Sequence, residues 1–297
     1  MALSGIDSII TAAAAGQKYR NFFYKGSGAQ AQIAGCAYSL STNVGVPTNT
    51  NVFSGSALTA TVPDDTVEWG IYHGGNVAAL VKNLTDFLAM TAGSNSAPGM
   101  LLLVDICMYY PGVDLKSTGS QTMTNVATLT RYTDGLGLRP IVLVTVQSGN
   151  PSGTPVMSVF NYCDQDDNDA AYSGMTINFR TGGTNIPFLG QIVSSALQAN
   201  CPGPFLPLNA GDTGIKRVNT FQLSTAYGTA TTVTGCIALV KELAMLPIGA
   251  IGAPAQRSFL SQMPTIVDGA CLGLIYLPGA ATSANSIFQG HVEATWG

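Results

Sequence analysis

The chain has 297 residues, only 9% of them Asp, Glu, Lys or Arg, and a formal net charge of −4. Soluble proteins carry roughly 25% charged residues, so small polar and apolar side chains fill an unusual share of this one. With 12 basic residues and no Lys/Arg block, it lacks the cationic surface that neutralises phosphates, and nucleic acid is excluded as an expected partner.

Like charge on a surface keeps chains apart, so a chain this poor in charge is weakly protected against self-association. We read the deficit as surface that meets other protein. A membrane is the competing explanation, because mean hydropathy is +0.27. The longest apolar run, "MLLLVDICMYYPGV" (Met100 to Val113), is interrupted by Asp105 and ends in a Pro-Gly turn. A span needs about 20 apolar residues, so buried strand is expected and no membrane partner.

In chain order, the opening "MALSGIDSIITAAAAG" lacks a basic start, carries Asp7 and places its cations after the apolar part. That order is the reverse of an export signal. Residues 1–25 read as an N-terminal arm with a short helical piece. In "QKYRNFFYKG", Lys18, Arg20 and Lys25 interleave with Tyr19, Phe22, Phe23 and Tyr24. Three cations release few counterions, which favours an aromatic arm docking on its own or a neighbouring subunit over stacking on single strands. The candidate partner-binding residues are Tyr19, Arg20, Phe22, Phe23 and Tyr24.

Residues 26–297 read as one β body, cut by Gly, Pro, Asn and Asp clusters. Val77, Leu80, Val81, Leu84, Phe87 and Leu88 follow three-and-four spacing and predict a helix. Continuous apolar runs at 100–110, 141–146, 236–240 and 271–277 predict strands covered on both faces. "SGNPSGTP" (Ser148 to Pro155) is a loop, and "MTINFR" (Met175 to Arg180) and "NTFQLST" (Asn219 to Thr225) alternate as half-buried strands. Pro254 opens a second short helix over 253–263. At the C-terminus, Phe288, Gly290, Val292, Ala294 and Trp296 share a buried face, opposite Ile287, Gln289, His291, Glu293 and Thr295. The expected fold class is all-β: a jelly-roll-like β-sandwich of about eight principal strands with minor helices.

Chemistry is sparsely represented. His73 lies in the turn "IYHGG" and His291 on the polar face of the last strand, but no G-x-S-x-G elbow supplies a nucleophile. Asp64, Asp65 and Glu68 in "PDDTVEW" read as a polar turn or a helix start. "GSGAQA" at Gly26 and "GLGLRP" at Gly135 each lack the third glycine of a dinucleotide loop. The acidic "CDQDDNDA" places Asp164, Asp166 and Asn168 at the first alternating positions of a calcium loop. Asp169 then stands where Gly is needed, and Met175 where a bidentate Glu belongs, so a solvated hairpin is favoured over a metal site. Cys36, Cys107, Cys163, Cys201, Cys236 and Cys271 form no C-x-x-C pair and are expected as free thiols. No cofactor and no enzymatic activity are expected.

Six phrases carry a family likeness: "SGIDSIIT", "IYHGG", "LLLVDICMYYPGV", "LTRYTDGLGLRPIVLVTV", "GPFLPLNAGDTGIKRVNTFQLS" and "VDGACLGLIYLPGAATSANSIFQGHVEATWG". In these the chain resembles virion structural proteins of tailed bacteriophages. The resemblance implies a capsid decoration (cement) protein, a homotrimer on the capsid exterior that clamps the phage major capsid protein and is assembled in the host cytoplasm. A major capsid protein or a tail component are alternatives, although no pattern long enough for a spine helix is present. From another class, a lectin-like carbohydrate-binding module would want an aromatic platform, for which Trp69 and Trp296 are the available tryptophans. Two expectations follow for the arm and the last strand. Removing 1–25 leaves the body folded but abolishes attachment to capsids, and Trp296→Ala costs about 3 to 5 kcal/mol as a buried truncation.

Overall fold

The computed structural model describes residues 3, 5–26, 35–78, 80–92, 98–147, 156–178 (backbone alone for 171–178), 189–192, 203–228, 232–249, 251–258, 264–280 and 286–297. Helix α1 (Ile6–Ala14) is followed by strands β1 (Lys18–Gly26), β2 (Tyr38–Ser39), β3 (Gly45–Val46), β4 (Lys82–Ala92), β5 (Gly99–Asp114), β6 (Gln121–Thr122) and β7 (Leu138–Gln147). The remainder are β8 (Val156–Asp164), β9 (Asp169–Asn178), β10 (Ile215–Thr225), β11 (Val233–Ile248), β12 (Ala255–Ser258), β13 (Leu272–Pro278) and β14 (Ile287–Trp296). They form three antiparallel sheets, ordered β12-β4-β14-β1-β3, β2-β13-β5-β11-β7 and β6-β10-β8-β9. The expected all-β sandwich is what forms.

The apolar run of β5 is the centre of the second sheet, paired with β13 on one side and β11 on the other. Residues 101–111 are all buried, which is why the run lacks alternation. On one face of this sheet, Leu101, Leu103 and Tyr276 pack against Phe23, Phe87, Phe288 and Val292 of the first sheet. Further along the same strand, Met108 and Tyr110 pack against Phe160, Tyr162, Val218 and Phe221 of the third. A register shift near Cys107 keeps both sets on one side. Leu102, Val104, Ile106 and Tyr109 point the other way, into a third cluster with Phe53, Trp69 and Phe205.

Asp105 lies between the two cores. Arg131 donates to it from Nε at 3.1 Å and Nη2 at 3.0 Å, and the Cys271 amide donates at 2.9 Å. Arg131 also donates to the carbonyls of Pro63 and Ile106, both at 2.9 Å. A buried charge is tolerated only when paired and fully hydrogen-bonded, and this one is.

Several expectations are corrected. Residues 82–92 are strand β4, not the second half of a helix. Leu84 pairs with Ala294 and Asp86 with Glu293, so Thr85 is an extra residue in a bulge. The bulge puts Leu84 and Phe87 on the core side at a spacing of three, imitating a helical period. The proposed second short helix holds strand β12 at 255–258, paired to β4 at the sheet edge, and its residues 259–263 lie outside the described residues. The expected boundary after residue 25 falls inside β1, which pairs with β14 over nine positions, Lys18 with Thr295 through Gly26 with Ile287. Trp296 is half-buried, not buried, and lies 5.6 Å from the Lys82 ammonium.

On β14, Phe288, Val292 and Ala294 are in the core as the alternation predicts, but His291, Glu293 and Thr295 of the opposite face are buried too, so this strand is not half-buried along its length. Gly290 is required between Phe288 and Val292, because a Cβ there would run into the Leu88 carbonyl and lie 2.8 Å from the Phe23 ring. The runs at 141–146, 236–240 and 271–277 fall in β7, β11 and β13. Phe221 and Leu223 of β10 are buried. The side-chain alternation of "MTINFR", the loop 148–155, most of "GSGAQA" and Cys201 lie outside the described residues. Cys107, Cys163, Cys236 and Cys271 are free and buried, and Cys36 is buried. Among the described residues no helix is long and apolar enough to cross a membrane.

Candidate functional site

Only one face of the first sheet is covered by the central sheet. The pleat sorts the arm residues between the two faces. Phe23 points inward to the core, and Lys25 is buried beside it, donating to the carbonyls of Pro47 at 2.5 Å and Asn43 at 3.3 Å. Burial lowers the Lys25 ammonium to about 8. Tyr19 packs edge-on against Tyr72 at 5.3 Å. Arg20, Phe22 and Tyr24 point outward. Five residues expected to act together are therefore split three to two.

Register builds the outward face row by row. Arg20 stands opposite Glu293, and Glu293 opposite Asp86. Phe22 stands opposite His291 and Leu88, and Tyr24 opposite Gln289 and Met90, with Val46 on its other side. The result is an apolar strip next to a charged strip. Phe22 is 64% exposed, Tyr24 45% and Val46 59%.

The charged strip is held firmly. Glu293 Oε2 takes Arg20 Nη2 at 2.5 Å, Arg20 Nε at 2.8 Å and Lys18 Nζ at 2.9 Å. Thr85 donates to Glu293 Oε1 at 3.3 Å and lies 2.9 Å from the Thr295 hydroxyl. The two outward residues of the β4 bulge, Thr85 and Asp86, are thus both used. Asp86 Oδ2 meets His291 Nε2 at 3.0 Å and accepts from Gln256 at 3.1 Å. The His291 ring is 5.7 Å from Phe22, edge-on. That contact touches one edge of the Phe22 ring and leaves most of the ring exposed. Sequence reasoning found Arg20, Phe22 and Tyr24 but missed Asp86, Glu293 and Val46, since no local signal pairs residue 20 with 293.

The remaining candidates serve their own turns. Asp164 Oδ1 accepts the amides of Asp166 and Asn168, both at 2.8 Å, and the Asn168 side chain reaches Oδ2 at 3.3 Å. That carboxylate closes the β8–β9 hairpin. Among the described residues no group of three or more His, Cys, Asp or Glu is placed to hold a metal. Asp64 similarly accepts from the amide and hydroxyl of Thr66, which holds its carboxyl below the usual range. His73 is buried with Lys82, whose Nζ lies 2.8 Å from Nδ1 and 3.9 Å from Asp268. Burial first, and the Lys82 charge second, push His73 down to about 4.

No family model and no curated protein matches the chain. Among solved structures, the crystal structure of the infectious bursal disease virus VP2 subviral particle is returned at 6% identity, covering 94% of this chain and 80% of that one. Its TM-score is 0.17. That is a very weak likeness to a viral capsid protein, and it carries no argument about fold or role.

Proposed function

We propose that this chain is a non-enzymatic structural protein of a bacteriophage virion, of the capsid decoration type. In this reading it is assembled in the host cytoplasm, sits on the capsid exterior as a homotrimer and stabilises the lattice of the major capsid protein. It docks through the outward face of the first sheet. The observation that carries the reading is that face: exposed Phe22, Tyr24 and Val46 beside a charged strip, on a chain with 9% charged residues. Aromatic side chains are typical anchors of protein interfaces, and charged rims steer and orient the partner. The six sequence phrases that resemble tailed-phage virion proteins point to the partner's class.

The test is co-sedimentation of the purified protein with shells of the parent phage stripped of it. The double variant Phe22→Ser/Tyr24→Ser should bind at least about tenfold more weakly, as expected for loss of two anchors. Unchanged binding by a variant with the wild-type melting temperature would remove the face from the interface.

A further inference from the structure

A cavity of about 490 Å³ opens beside β10 of the third sheet. Its volume falls within the range of roughly 300 to 1,000 Å³ typical of small-molecule sites. The floor is apolar, formed by Met108 and Leu129 of the buried core. Asn125 makes a fixed wall, donating to the Val218 carbonyl at 2.9 Å and accepting from the Tyr110 hydroxyl at 2.7 Å.

Two cations reach this cavity, Lys216 and Arg217. Adjacent residues of a regular strand would point to opposite faces. Here Ile215 pairs with Asp164 and Arg217 with Cys163, so one residue is extra. Ile215 and Val218 both belong to the core, and the two residues between them, Lys216 and Arg217, both line the cavity. Bulges re-aim side chains in this way and are frequent beside functional sites. Asp167 also lines the cavity, and Arg217 Nε reaches Asn219 Oδ1 at 3.4 Å. Lys216 Nζ lies 2.7 Å from Asp167 and Arg217 Nη2 3.5 Å from Asp169, and those carboxylates are 70% and 71% exposed. Exposed pairs of that kind contribute little, so an entering anion can replace the hairpin's acids.

We propose that this cavity binds a small organic anion: a carboxylate on an apolar body the size of a single ring or short alkyl chain. The carboxylate lies between Arg217 and Lys216, and the body covers Met108 and Leu129. Displaced Asp167 and Asp169 turn out to solvent.

Calorimetric titration with 4-phenylbutyrate, and with its neutral amide as control, tests this at low ionic strength. The acid should bind with millimolar or better affinity, and the amide about tenfold more weakly, since a charge-assisted bidentate contact is lost. Lys216→Ala/Arg217→Ala should weaken the acid to the level of the amide, and Asp167→Asn should tighten it by freeing Lys216. Ala127→Trp, which fills the cavity, should abolish binding of both. Equal affinity for acid and amide, no heat from the acid up to about 10 mM, or an Asp167→Asn variant that binds no tighter would each overturn the proposal.

Discussion

At the scale of single residues, the chain concentrates its few ionic groups where they fasten elements together. Asp105 was legible as an interruption in an apolar run, whereas its partner Arg131, 26 positions away, had no local signal. Removing one member of a buried pair leaves an uncompensated charge and costs about 3 to 5 kcal/mol, while replacing both by apolar residues is often neutral. Arg131→Met alone should therefore lower urea stability by about that amount, and Asp105→Leu/Arg131→Met should recover only part of it, because the Cys271 amide and the Pro63 and Ile106 carbonyls lose their side-chain partners. A single variant losing under about 1 kcal/mol would show that the pair is not buried as described.

His73 gives the pH dependence at the same scale. Its folded value of about 4 lies below the ordinary 6.5, with Lys82, Asp65 and Asp268 as the charged groups around the pair. A depressed folded value means stability that is complete above pH 6.5 and lost as pH falls towards 4. The loss is on the order of 3 kcal/mol. Thermal melts from pH 7 to 4 should show this decline, and His73→Gln should flatten it. An equal decline in the variant would assign the effect to other groups.

At the scale of elements, β1 argues against the expectation that the body folds without residues 1–25. The strand lies between β14 and β3, and Phe23 is part of the core. Deleting residues 1–25 should yield insoluble protein, and Phe23→Ala should cost about 3 to 5 kcal/mol. Trp296→Ala moves the opposite way: half-buried, it should cost about 1 to 2 kcal/mol, less than a fully buried ring. Equal losses at the two positions, measured by denaturant unfolding, would contradict this placement. Strands buried on both faces were readable because their composition alone marks them. The bulges were not, since an extra residue such as Thr85 breaks the period of two and makes Leu84 and Phe87 look helical. The bulge at Lys216 likewise hid the cavity, and β1's partner was hidden because Arg20 and Glu293 are 273 residues apart.

At the scale of the whole molecule, low charge and a deep double core belong together. Most apolar side chains of the central sheet are inside, and of the exposed aromatic rings among the described residues Phe22 and Tyr24 lie on the outward face of the first sheet while Tyr19 and Tyr72 pair with each other off it. The charge deficit by itself points to protein contact, but which face makes that contact depends on pairing between the two ends of the chain. The most direct measurement is hydroxyl-radical footprinting of the protein free and in purified virions of the parent phage. Phe22 and Tyr24 are predicted to lose reactivity in the virion while Tyr72, which lies off that face, keeps it. Phe22 and Tyr24 that stay as reactive in the particle as in the free chain would contradict docking through the first sheet.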